Sequence, residues 1–158
     1  MKRFENGRHM AGVTLIEVMI SVLILGVGML GVAAMQTTAL RNNQSALQRS
    51  QIVMQTYTIL DAMRANRSAA MLGAYNTGSM LCTAPAAGDL AANDKAVWLS
   101  GLKAAIGGDP ATTCGSIACN DGNCTITVQW DDSRGLNSSA GGNTSGSATQ
   151  TLSTTAQL

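Results

Sequence analysis

GVTLIEVMISVLILGVGMLGVAAM, residues 12–35, is the stretch on which the fold turns. From Val13 to Met35 it holds 23 residues with a single charge, Glu17. As a helix rising about 1.5 Å per residue it would be roughly 34 Å long, enough to cross a hydrocarbon core of about 30 Å. Residues 1–12 carry Lys2, Arg3 and Arg8 against Glu5, a basic head that stays on the cytoplasmic side and sends everything after residue 36 outward. Three readings compete. Val32-Ala33-Ala34 offers a small-x-small site for a secretory signal, but the apolar run is long for one and contains an acid. A plain anchor fits the length and leaves Glu17 unexplained, since an acid at mid-helix costs about 2.5–3.5 kcal/mol on insertion scales. Near the helix start, Glu17 would at least complement the N-terminal dipole.

The third reading comes from Gly12-Val13-Thr14-Leu15-Ile16-Glu17 behind a short basic leader. This string resembles the class III signal of type IV prepilins. The resemblance implies cleavage after Gly12 by a prepilin peptidase and N-methylation of the new Val13 amine. Thr14, Leu15 and Ile16 would form the recognition segment. Glu17 would be the fifth residue of the mature chain and pair with the N-terminal amine of a neighbouring subunit during assembly. Major pilins usually carry Pro at the mature position occupied here by Ala34, and its absence leans toward a minor subunit.

From Gln36 to about Ala70 there is neither Pro nor Gly, and helix formers dominate. Leu40, Leu47 and Met54 recur every seven residues on one face. Ile52, Ile59 and Met63 lie on another, with Val53, Tyr57 and Leu60 widening the apolar surface. The pattern predicts one helix from Val13 to about Ala70, its outer half packed on a sheet and its end region marked by Gly73. Leu60-Asp61-Ala62-Met63-Arg64-Ala65-Asn66-Arg67 is similar to the end of this helix in PilV-type minor pilins.

Residues 71–92 read as an irregular connection. Asn93 or Asp94 can cap a short helix with Trp98, Leu99, Leu102, Ala105 and Ile106 on one face, ended by Gly107-Gly108. The Trp98-x₃-Leu102 spacing partly matches PilV-like chains. Asp121-Gly122 can turn a hairpin whose second strand alternates Ile126, Val128 and Trp130 with Thr127 and Gln129. That strand, running to Asp131-Asp132, again resembles PilV-type proteins. Trp130 reads as core, and Asp131 and Asp132 read as strand-end caps, with no third acid close enough for calcium. Residues 133–149, rich in Gly, Ser, Asn and Thr, read as a mobile tract, and Thr151–Ala156 as a last strand.

Cys82, Cys114, Cys119 and Cys124 all follow the apolar segment, which places them in an oxidising compartment as two disulfides. Cys119–Cys124 across the turn is sterically attractive and would leave Cys82–Cys114, although three pairings exist. The spacing fits no usual zinc pattern, and His9, alone of its kind, excludes a multi-histidine site. Residues 68–158 carry six Asp against Lys95, Lys103 and Arg134, and charged residues are 12% of the chain. That balance argues against nucleic acid.

The expected architecture is therefore α+β and type IV pilin-like: a long N-terminal helix, half membrane and half amphipathic, packed on a small disulfide-stapled antiparallel sheet. Its divisions are a leader 1–12, a transmembrane half 13–35, an exported half 36–70 and an exported domain 71–158. No cofactor and no catalytic constellation are read. The resemblance implies a minor pilin supporting pilus biogenesis, adhesion and twitching motility. Its partners would be other pilins, the inner-membrane assembly platform, the prepilin peptidase and a tip adhesin. It would lie in the bacterial inner membrane before assembly, its domain periplasmic, and afterwards in the surface fibre. A pseudopilin of type II secretion shares the same N-terminal logic. A pilin that binds DNA or a surface ligand is a third alternative.

Overall fold

The structure, a computed structural model, describes residues 12–107, 109, 111–139 and 142–158, and the side chains of 136–145 are not described. The leader expected over residues 1–12 therefore lies outside the described residues except for Gly12, and so does Gly108. The chain forms two compact units that divide between Ala39 and Leu40.

Helix α1 runs Leu15–Ala65, and α2 is a single short piece, Arg67–Met71. The expected helix to Ala70 is thus interrupted at Asn66, whose φ of −114° and ψ of 45° leave the helical region. Gly73, with φ of +82°, then turns the chain away.

In the second unit α1 buries Ile52, Thr56, Ile59, Leu60 and Met63, the spacing of one helical stripe. Thr56 is tolerated there because its hydroxyl donates to the Ile52 carbonyl at 2.9 Å. The other stripe, Leu40, Leu47 and Met54, is exposed, as are Val53 and Tyr57. Only one of the two apolar faces meets the domain.

Helix α3, Leu90–Ile106, buries Ala91, Trp98, Leu99, Leu102 and Ile106. Its N-cap is Asp89, whose carboxylate accepts from the Ala92 N–H at 2.8 Å, rather than the expected Asn93 or Asp94. The helix starts earlier than the polar pair suggested because Ala91, seven residues before Trp98, already belongs to its buried face. Gly107, at φ of +66°, closes it.

Strands β1 (Cys114–Asn120), β2 (Asn123–Trp130) and β5 (Gln150–Gln157) form an antiparallel sheet in the order β1-β2-β5. Asp121 and Gly122 have φ of 49° and 80°, the two positive values of a type I′ turn. The inner face of β2 contributes Ile126, Val128 and Trp130, and β1 contributes Ile117, to a core closed by α1 and α3. Gly115 is required by close packing: a Cβ there would lie 2.4 Å from the Trp98 ring. Among the described residues neither Trp98 nor Trp130 finds an acceptor for its buried indole N–H, so packing holds both rings.

Between β2 and β5 the chain makes a second hairpin, β3 (Leu136–Ser139) with β4 (Gly142–Ser145). The tract expected to be mobile over 133–149 thus carries two paired strands. Its base is tied by the Asp132 N–H to the Ser147 carbonyl at 3.0 Å and the Gly146 N–H to the Gly135 carbonyl at 2.7 Å.

Residues 76–82, read as irregular connection, run along the outer edge of β1. Leu81 and Gly115 exchange both backbone hydrogen bonds, at 2.8 and 3.0 Å. Thr77 pairs with Ile117 through its backbone N–H and its hydroxyl. The Asn76 side-chain amide accepts from the Cys119 N–H at 2.7 Å and donates to its carbonyl at 3.2 Å, standing in for a peptide group.

The disulfides are Cys82–Cys114 and Cys119–Cys124. Cys119 and Cys124 are direct cross-strand partners one step from the Asn120–Asn123 pair that flanks the turn. Cys82 and Cys114 stand one step from the Leu81–Gly115 pair. Their Cα separations, 4.0 and 4.2 Å, are those of non-hydrogen-bonded pairs, where side chains approach most closely. β1 is thus clamped near both ends.

Candidate processing and assembly site

The Gly12–Val13 peptide precedes the first helical residue, Leu15. Both residues are exposed, and among the described residues a Cβ at Gly12 would meet nothing within 4 Å. A peptide bond outside regular structure, with space around it, is one a protease can draw into an extended conformation.

Thr14 opens α1. Its carbonyl accepts from the Glu17 and Val18 N–H groups at 3.1 and 3.3 Å, and its hydroxyl accepts from the Glu17 N–H at 3.4 Å. Thr14-x-x-Glu17 is the spacing of a capping box, of which the threonine half is made. Leu15 and Ile16 follow as exposed apolar side chains, 78% and 62% accessible. Thr14, Leu15 and Ile16, the expected recognition segment, therefore form a capped helix start with an apolar surface.

Every described side chain of the first unit from Val13 onward is exposed or half-buried, including Leu23, Leu25, Val27 and Leu30. An 18-residue window of α1 has mean hydropathy 2.5, so the helix is long and apolar enough to cross a membrane. Hydroxyls here are satisfied on their own helix: Ser21 donates to the Glu17 carbonyl at 2.7 Å, and Thr37 and Thr38 donate to that of Ala34. Glu17 differs. Among the described residues its carboxylate has neither an ion-pair nor a hydrogen-bond partner, and it lies in the helix that is apolar enough to cross a membrane, where an unmatched charge would be costly. A cation supplied by another chain would relieve that cost.

In the second unit, a cavity of about 330 Å³ opens between α1, the end of α3 and the segment after β2, lined by Arg41, Gln48, Asp109, Asp131 and Arg134 among others. At its edge Asp132, 5% exposed, accepts from the Ser45 hydroxyl at 2.7 Å and lies 3.8 Å from Arg49. Asp131 accepts from the Ser133 N–H at 2.8 Å, and that bond holds its carboxyl below the ordinary range. Asp131 thus holds its own turn, and Asp132 ties the end of β2 to α1. Among the described residues no three His, Cys, Asp or Glu converge as a metal site would need.

Tyr75 is buried where α1 ends, its hydroxyl donating to Asp94 and accepting from Asn66. Burial, reinforced by Asp94, raises its pKa above the ordinary 10.0. This polar core was not read from the sequence, because Asn66, Tyr75 and Asp94 share no motif. The spacing of the four cysteines, by contrast, already favoured the disulfides that form.

Residues 7–33 match the family model described as the prokaryotic N-terminal methylation motif. This is the class III prepilin signal, and it supports a relation to type IV pilins and pseudopilins. No curated protein matches the chain. No solved structure matches it either.

Proposed function

We propose that this chain is a minor pilin: cleaved after Gly12, N-methylated at Val13, held in the bacterial inner membrane by residues 13–35, and built into a type IV pilus. Its work is structural and assembly-related rather than catalytic. As a pilus subunit it would support adhesion and twitching motility, with other pilins, the assembly platform and a tip adhesin as partners. The observation that carries the reading is the motif match over residues 7–33, in which Glu17 is the one charge of the apolar segment. The exposed stripe of Leu40, Leu47, Met54 and Tyr57 supports it further, since a helix with a free apolar face is suited to packing against neighbouring helices.

In this reading Glu17 acts as a depth gauge. A subunit comes to rest in the growing fibre where its carboxylate meets the free amine of another Val13, and elsewhere the charge stays unmatched. Glu17→Gln should leave the domain folded and remove the subunit from sheared fibres. Incorporation equal to wild type would defeat the role.

The first experiment is the N-terminal peptide and intact mass of the protein recovered from membranes. A methylated Val13 start supports the reading, a Met35 start makes it a secreted protein, and an intact Met1 makes it a plain anchor. A type II secretion pseudopilin would give the same methylated start, and deletion separates the two: loss of pili in one case, loss of protein secretion with pili intact in the other.

A further inference from the structure

The two edges of the sheet are treated differently. The outer edge of β1 is fully occupied: the backbone groups of Gly115, Ile117 and Cys119 are taken by Leu81, Thr77 and Asn76. Among the described residues the outer edge of β5 is bare. Because the odd residues of β1 bond outward, its even residues bond β2. The register then directs Cys124, Ile126, Val128 and Trp130 to Ala156, Thr154, Leu152 and Gln150 of β5. The N–H and C=O groups of Thr151, Ser153, Thr155 and Gln157 therefore point away from the sheet. Among the described residues none of them makes a backbone hydrogen bond.

Natural edges are usually blunted by a charge, a proline, a bulge or short length. β5 has none of these: Gln150–Gln157 contains no charged residue and no Pro, pairs without interruption along β2, and is eight residues long. An apolar face leaves its occupant undefined, but an edge does not, because only another extended backbone meets a row of alternating donors and acceptors.

We infer that β5 is a docking edge for an extended segment of a partner chain. The segment is uncharged where it pairs. Its inward residues are apolar and extend the cover over Leu152, Ala156 and Leu158, which the core leaves half-buried. Its outward residues carry hydroxyls, continuing the rows in which Thr125 meets Thr155 at 3.1 Å and Thr127 meets Ser153 at 2.9 Å. A second copy is a poorer occupant. The β1 edge is taken, so copies cannot add head to tail through their sheets. An antiparallel β5–β5 pair is two-fold and sets residues 40–65 of the two chains in opposite directions. Subunits inserted in one sense into one membrane do not pair in that way, a step that rests on the proposed anchoring.

The test is amide hydrogen exchange on the full chain in detergent, with and without a blocked, uncharged octapeptide in which Val alternates with Thr and Ser. The amides of Thr151, Ser153, Thr155 and Gln157 should slow by roughly ten-fold or more when it is added. Those of Leu152, Thr154 and Ala156, already bonded to β2, should not change. Ser153→Pro removes one outward N–H and leaves the ladder to β2 intact, so both disulfides should persist while the peptide effect is lost. No slowing of the outward amides, or equal slowing in the Ser153→Pro chain, would overturn the inference. Protection in the free chain that grows with protein concentration would also overturn it and assign the edge to a second copy. The intact mass of the same sample reads the N-terminus separately. A Met1 start beside peptide-protected amides would sink the pilin reading and leave the docking edge standing.

Discussion

The two units of this chain handle apolar surface in opposite ways. Through Ala39, α1 presents its apolar side chains outward on all sides and buries none of them, so its environment must come from lipid or from other helices. From Leu40 on, the same helix has one stripe sealed under α3 and the sheet and another left bare. The contrast teaches that stability and association are separated along one helix. The domain's folding depends on Ile52–Met63, whereas residues 13–35 and the exposed stripe contribute nothing to that core and are left for other molecules to cover.

The sharpest way to break that separation is a matched pair of truncations. Leu60→Ala removes a fully buried side chain and should lower domain stability by about 2–5 kcal/mol in denaturant unfolding. Leu23→Ala, in the first unit, should leave the same transition within about 0.5 kcal/mol. An equal loss from both would mean that the units are one folding entity.

A second pair uses glycine. Gly115→Ala forces a methyl group to within 2.4 Å of Trp98 and should cost about 1–3 kcal/mol. Gly28→Ala meets open space, and the domain transition should not move.

The smallest effect concerns Tyr75. Its pKa is raised in the folded chain, so its contribution is fully present below the unfolded value near 10.0 and is lost as pH rises through the folded one. Unfolding followed from pH 8 upward should show a stability decline above about 10 that Tyr75→Phe reduces. An unchanged decline in the variant would place the alkaline sensitivity elsewhere.

These contrasts also mark what could be read from the chain in advance. The apolar run, the Asp121-Gly122 hairpin, the Trp98–Ile106 face and the fifth-residue spacing of Cys119 and Cys124 are local patterns, and local patterns carry their own periods. The choice between the Leu40–Leu47–Met54 and Ile52–Ile59–Met63 stripes was not legible, because both have helical spacing and only the sheet decides between them. Residues 76–82 show no strand alternation, and their pairing with β1 rests partly on side chains, above all the Asn76 amide. Asp132 and Ser45 lie 87 residues apart, a distance over which a single sequence carries no signal. Toward the amino end the glycine and the acid fall within the motif matched over residues 7–33, and such a motif is legible because it is a string rather than a fold.

The clamps on β1 have a mechanical consequence for a chain held at one end and pulled at the other. Cys82–Cys114 and Cys119–Cys124 close spans of 32 and 5 residues. At roughly 3.5 Å of extended length per residue, together they withhold about 130 Å of contour. A stretched oxidised chain should therefore pay out β5, the β3–β4 arm and then residues 115–118 of β1, while α3 and the turn at 120–123 stay inside closed loops that only a reduced chain gives up. The two covalent bonds set how much of the molecule tension can reach.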